Sequence, residues 1–196
     1  MASEGMVPCK KNAKRLGAHI VFIDESGFLL IPTILRTWAP RGKTPIIRHR
    51  YKRDKVSVIS GVSVSPQRIR FGLYFQMHLD NIEQIEVCHF LKHLLRHLRG
   101  RIIAILDNSN THKGNLIAEL QKRNPRITIE YFPSYAPQLN PDEGVWSYAK
   151  RSLANGRPDN LEELLQTVAD SLMKISKSQP ILRGCVEHSE LPFRLP

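Results

Sequence analysis

The chain has 196 residues, 41% hydrophobic and 24% charged, which suits one globular domain able to bury a core without staples. No apolar run approaches a membrane span, and the N-terminus lacks the apolar core of a signal peptide. Three separated cysteines, Cys9, Cys88 and Cys185, argue for reduced thiols and against a disulfide framework or a zinc site, while the net charge of +11 points to a polyanionic partner.

Residues 1–17 read as a basic arm or linker, with "KKNAKR" at Lys10–Arg15. "AHIVFID" (Ala18–Asp24) is nearly continuously apolar, as a strand covered on both faces is. Ser26–Lys55, rich in Pro, Gly and Arg, is expected to be mostly loop with short strand pieces. Within it, "RGKTPIIRHRYKRDK" concentrates the basic charge at Arg41, Lys43, Arg48, Arg50, Lys52 and Arg53 around Tyr51, a pattern suited to phosphate contact. With no lipid-seeking face beside this charge, nucleic acid is favoured over a membrane surface. "VSVISGVSV" (Val56–Val64) and "IRFGLYF" (Ile69–Phe75) form a hairpin pattern.

Asp80–Gly100 is the clearest helix, with Asp80 and Glu83 at capping-box spacing and Gly100 as its stop. Val87, Phe90, Leu91, Leu94, Leu95 and Leu98 share its apolar face, opposite Lys92, Arg96 and Arg99. His89, His93 and His97 recur along the basic side. They are read as a polar face that can approach DNA, in preference to a transition-metal ladder.

"RIIAILD" (Arg101–Asp107) is a second buried strand ending on Asp. A helix is expected over 112–123, and a strand at "RITIEYF" (Arg126–Phe132). Pro133, Pro137 and Pro141 then exclude regular structure up to a helix from about Pro141, and a last amphipathic helix runs through Leu161, Leu165, Leu172 and Ile175. Trp38 and Trp146 are both read as core residues. The order β-β-β-α-β-α-β-α, with an extra helix behind, predicts a mixed sheet with helices on both faces.

Asp24 and Asp107 share one grammar, an apolar strand ending in Asp followed by small polar residues. Either alone reads as a turn residue, but two strand ends in one sheet can lie side by side. The helix from Pro141 opens with a third carboxylate, Asp142 or Glu143. Asn140 and Glu143 have capping-box spacing, Asp142 lies nearer the centre of the buried face, and periodicity does not choose between the two. Three carboxylates without a His/Cys cluster suit hard cations such as Mg²⁺ or Mn²⁺, and a basic protein with such a cage is a candidate nuclease or strand transferase.

"FIDESGF", "LDNSNTHK" and "PSYAPQLNPDEGVWSYAK" resemble, in order, the three signature blocks of DDE transposases, and most nearly those of the mariner superfamily's bacterial insertion-sequence members (the six-thirty group). "RTWAPRGKTP" (Arg36–Pro45) also looks like that group, and the resemblance covers roughly Lys11–Leu153. It implies a ribonuclease-H-like fold, an α/β domain with a mixed five-stranded sheet flanked by helices, at 18–178, with a tail at 179–196. It implies Asp24, Asp107 and Glu143 as ligands of two Mg²⁺ (or Mn²⁺) ions, and resolves the third ligand as Glu143 through the family's Asn-Pro-x-Glu. The 35 residues from 108 to 142 match the family's spacing. His112 and Lys113 match its "HK" and stand as candidate nucleic-acid contacts near the metals.

The activity implied is cut-and-paste transposition at TA dinucleotides, by metal-dependent cleavage and strand transfer. Its partners would be transposon-end and target DNA, within a homodimer or larger complex in the bacterial cytoplasm at the nucleoid. Two departures are Asp142, at a position usually apolar, and Gly144, which costs about 1 kcal/mol of local helix stability. Seventeen residues before the first strand are too few for a helix-turn-helix module, so the chain reads equally as the downstream product of a split reading frame, a trimmed domain or a decaying copy. The rival expectations are a ribonuclease-H-like nuclease without strand transfer and a catalytically silent DNA-binding remnant.

Overall fold

In the computed structural model, residues 17–31, 36, 38–43, 46, 54–109, 112–156, 158–191 and 195 are described. The basic arm at Lys10–Arg15, and Arg48, Arg50, Lys52 and Arg53, lie outside them. Five strands form one sheet in the order β3-β2-β1-β4-β5. The strands are β1 (His19–Leu29), β2 (Lys55–Val64), β3 (Phe71–His78), β4 (Ile102–Leu106) and β5 (Ile127–Tyr131). β1, β2 and β3 pair antiparallel, whereas β1–β4 and β4–β5 are parallel. The helices are α1 (Gln84–His97), α2 (Asn115–Arg123), α3 (Asp142–Leu153), α4 (Leu161–Ser176) and α5 (Gln179–His188).

Both sheet faces are covered, which is why β1 and β4 lack apolar–polar alternation. Val21, Ile23, Ala104 and Leu106 join a core with α1 and α2. Ile20, Phe22, Ile103 and Ile105 join the opposite core, beneath α3, α4 and α5. The expected order of elements is therefore present, with three local differences.

β1 does not stop at Asp24. Ser26 to Leu29 keep pairing with β2, in register Ser26↔Val58 to Leu29↔Lys55, and Phe28 is buried edge-on against Trp146 at 6.0 Å. Ser and Gly disfavour strands locally, but a paired neighbour and a buried aromatic override that preference. α1 begins four residues later than Asp80. Its capping box is Glu83 with Glu86, whose carboxylate accepts from Glu83 N–H at 3.0 Å. Both Asp80/Glu83 and Glu83/Glu86 have the required spacing, so spacing alone could not choose the start.

The third difference is at the C-terminus, where the expected tail contains α5, with Leu182, Cys185 and Val186 buried. Pro180 and Gly184 disguise this helix, although proline is tolerated in a first turn. Gln179 also closes the edge of the sheet: its Nε2 donates to Phe71 O at 2.6 Å, and Phe71 N–H donates to its Oε1 at 2.9 Å.

α5 also accounts for Gly144. A Cβ there would lie 2.9 Å from Cys185 Sγ and 3.3 Å from Cys185 Cα, so only glycine lets α3 and α5 approach this closely. Gly144→Ala is expected to destabilise the fold by about 1–3 kcal/mol despite its better helix propensity, because it overpacks this contact. Thermal unfolding of the variant measures the balance, and a raised Tm would show that propensity outweighs packing.

Candidate active site at the carboxyl ends of β1 and β4

The parallel pairing runs from His19↔Ile102 to Phe22↔Ile105, so Asp24, midway along β1, and Asp107, just past the end of β4, stand side by side beyond it. Each has the side-chain parity of the residues buried beneath α3, so both face that helix. α3 presents Glu143, exposed, from its first turn. Asp24, Asp107 and Glu143, with Asn108, Tyr135 and Asn140, line one cleft of about 390 Å³. The proline-bearing segment is the cleft's far wall and ends in a single 3-10 turn, Pro137–Leu139.

Each Asp is anchored by hydrogen bonds. Trp146 Nε1–H donates to Asp24 Oδ2 at 2.9 Å. Asp107 Oδ1 accepts from Ser109 N–H at 3.0 Å and faces His112 Nδ1 at 2.5 Å. The Glu25 backbone N–H also bonds the Asp24 carboxylate. Burial pushes the Asp24 carboxyl up to about 7; the Trp146 bond opposes this, and the negative charges of Glu25 and Glu143 add to it. Its ionised form therefore calls for a cation.

The two acidic residues at the start of α3 have opposite surroundings. Asp142 is fully buried, accepts from Ser60 Oγ, and accepts from Val62 N–H at 3.4 Å. Burial drives its carboxyl well above the usual range, which favours the neutral acid in this contact with β2. Asn140 Oδ1 accepts from Asp142 N–H at 3.2 Å, while Asn140 N–H donates to Pro137 O at 2.9 Å. A capping box would have spent the Glu143 carboxylate on that Asn140 N–H. Because Pro137 takes it instead, Glu143 is free to face the cleft.

His112 is only 1% exposed, which leaves it no surface for DNA. Its Nε2 contacts Glu25 Oε1 at 2.9 Å and its Nδ1 contacts Asp107, so the imidazole ties the middle of β1 to the end of β4. Burial alone would lower its pKa, but the hydrogen bond and charge of Glu25, with the charge of Asp107, raise it to about 9. Tyr131 OH donates to His112 O at 2.8 Å and fixes this turn. Lys113, Arg41 and Lys43 are exposed, as DNA contacts must be.

Trp146 is buried as expected, but its indole N–H also serves Asp24. Trp38, read as core, is 99% exposed. Glu25 and the polar role of Trp146 went unread in the sequence; the only signal for Glu25 was its place beside Asp24, on the opposite face of β1. His93 and His97 lie 4.1 Å apart, ring to ring, beside Tyr74. Among the described residues, no three His, Cys, Asp or Glu side chains are gathered closely enough to hold a metal ion. None of the described helices is long and apolar enough to cross a membrane.

A mixed five-stranded sheet flanked by helices, with acidic residues side by side on β1 and just past β4 and on the facing helix, defines the ribonuclease-H-like class of domain. The profile of the DDE superfamily endonuclease family matches residues 19–165, and the chain belongs to that family. No curated protein sequence matches it.

Among solved structures, it is similar to the Mos1 transposase paired-end complex with left transposon end, at 18% identity and TM-score 0.66, over 95% of this chain and 57% of that one. The mariner Mos1 paired-end complex with Mg gives 18% identity and TM-score 0.65, over 96% and 59% of the two chains. The isolated catalytic domain of Mos1 mariner transposase gives 15% identity and TM-score 0.51, over 98% and 95%. The chain thus spans under two thirds of the Mos1 chains in those complexes and nearly all of their catalytic domain.

Proposed function

We propose that this chain is the catalytic domain of a cut-and-paste transposase of a bacterial insertion sequence, with Asp24, Asp107 and Glu143 as its catalytic carboxylates. The observation that carries this reading is that these three side chains line one cleft of a strongly cationic protein, without being gathered closely enough to hold an ion in this structure. An all-oxygen donor set fits Mg²⁺ or Mn²⁺. Two such ions, when bound, lower the cost of charge on the attacking and leaving oxygens of a phosphodiester.

The chain's own residues do the positioning. Trp146 fixes the orientation of Asp24, and Ser109 N–H with His112 fixes that of Asp107. The turn through Pro141 sets Glu143 at a helix start with its carboxylate uncommitted. Lys113, Arg41 and Lys43 offer exposed positive charge to the DNA backbone, continued in sequence by Arg48, Arg50, Lys52 and Arg53. The DNA would comprise the element's ends and a TA-containing target, bound by a homodimer or larger assembly at the bacterial nucleoid. Recognition of the ends would come from a helix-turn-helix module outside the described fold.

The test is nicking of a labelled duplex in Mg²⁺ or Mn²⁺. Wild type is expected to cut, and Asp107→Ala to lose roughly 10³-fold or more in rate with its fold intact. A target duplex then distinguishes strand transfer from simple nuclease action. Wild type that binds DNA and never cuts, with or without a helix-turn-helix partner, would overturn the catalytic reading.

Trp146→Phe keeps the ring beside Phe28 but removes the indole donor to Asp24 Oδ2. It is expected to lower metal-dependent cleavage by about 10-fold or more and to raise the metal concentration needed for half-maximal rate. An unchanged metal titration would show that the indole acts by packing alone.

A further inference from the structure

Three non-glycine residues of the described fold have a positive φ: Arg68 at 62°, Tyr135 at 58° and Asn155 at 58°. Arg68 lies in the tight β2–β3 connection, where its N–H donates to Ser65 O. Asn155 follows the end of α3, a place where Asn is favoured. Tyr135 has neither justification. It lies in the turn between Pro133 and Pro137, at a conformation that Gly or Asn adopts without strain and an aromatic residue does not.

Nor does packing compensate. Tyr135 is 101% exposed, so its ring is supported by no neighbouring side chain. Yet it lines the same cleft as Asp24, Asp107 and Glu143. The adjoining backbone is held: Asn108 Nδ2 donates to Ser134 Oγ at 3.3 Å, Leu139 N–H donates to Ala136 O at 3.1 Å, and Ala136 is buried. A strained backbone carrying a solvated aromatic ring at the rim of a reaction cleft is an arrangement that folding alone does not favour.

We infer that Tyr135 is a stacking platform for an unpaired nucleobase of the DNA strand entering the cleft, next to the phosphate under attack. This rests on the transposase reading for the identity of the ligand. An aromatic face suits any base, because stacking does not read the base edges. The turn presents the ring outward at a fixed place beside the carboxylates, so a base seated on it sets how far the strand advances. Sequence preference at this step would come from how readily the neighbouring base pair opens, with no hydrogen-bond readout by Tyr135.

The experiment compares wild type with Tyr135→Phe, Tyr135→Asn and Tyr135→Gly. Two readouts are used: metal-dependent nicking at subsaturating DNA, and the fluorescence change of 2-aminopurine at a frayed duplex end bound in EDTA. Tyr135→Phe should keep both. Tyr135→Asn and Tyr135→Gly should lose about 5- to 150-fold in nicking and lack the fluorescence change. Their Tm should equal or exceed wild type, because both residues tolerate the turn.

Wild-type nicking together with full activity in Tyr135→Asn would overturn the stacking role and leave the transposase reading intact. A lowered Tm in both Tyr135→Asn and Tyr135→Gly would overturn it too, by giving the ring a structural job. If wild type never cuts, the fluorescence arm still decides whether a base meets Tyr135. Absence of DNA binding by wild type would sink both readings together.

Discussion

Glu143→Gln is expected to cut metal-dependent DNA cleavage by roughly 10³-fold or more, while Asp142→Asn, one residue earlier, leaves it within about threefold. The two carboxylates are adjacent in sequence and chemically alike, but they leave α3 in different directions. Glu143 is exposed to the cleft, and its carboxylate makes no hydrogen bond with a described residue. Its charge is felt by Asp24, and removing it would remove a ligand while leaving the packing untouched. Asp142 points the other way, into β2, where Ser60 and Val62 hold it. An asparagine there can donate to Ser60 Oγ and accept from Val62 N–H, so the local geometry is kept. Single-turnover nicking by the two variants, with circular dichroism to confirm folding, measures the contrast. Equal losses in both would mean that the cleft takes its third carboxylate from Asp142 or needs both.

Removing the Asp142 side chain altogether should be costly in stability. Asp142→Ala leaves the Ser60 hydroxyl with a lost partner and opens a cavity beneath α3, so a loss of about 2–4 kcal/mol is expected, or roughly 5–15 °C in Tm. The wild-type residue also makes stability depend on pH, in a definite direction. The folded-state pKa of Asp142 is raised, whereas the unfolded chain gives up this proton above about pH 4. The folded state therefore binds the extra proton over the window above pH 4. Stability from this group is fully present below that window and falls as pH rises through it, by at most about 1.4 kcal/mol per pH unit. Asp142→Asn has no proton to lose, so its stability relative to wild type should grow between pH 5 and pH 8. Denaturant unfolding in EDTA at several pH values reads this directly. A difference that shrinks with rising pH would mean that Asp142 is ionised in the folded chain.

Elements with strong local signals were legible in the sequence. β1 and β4 read as strands because both sheet faces are covered, and α1 read as a helix through its leucine-rich stripe. α5 was not legible: Pro180 and Gly184 look like breakers until one knows that α3 and β3 wait to cover Leu182, Cys185 and Val186. Trp38 shows the opposite failure, since nothing local distinguishes an indole that finds a core from one that stays in water. Its exposed ring and the buried Trp146 differ only in what the fold brings to them.

The sequence by itself determined the order of the five strands and the first four helices, the cationic charge, and the acidic residues on two strand segments and at one helix start. These follow from local rules of periodicity, capping and turn chemistry, which act over a few residues. Only the tertiary structure decided which acidic residue at the helix start faces the cleft, because that depends on β2 offering Ser60 and Val62 to Asp142 across 82 and 80 residues of chain. It also decided that His112 is a buried bridge between Glu25 and Asp107, and that Tyr135 stands clear of every core. Burial, desolvation and pairing across the sheet are properties of the whole packed chain, so no local window contains them.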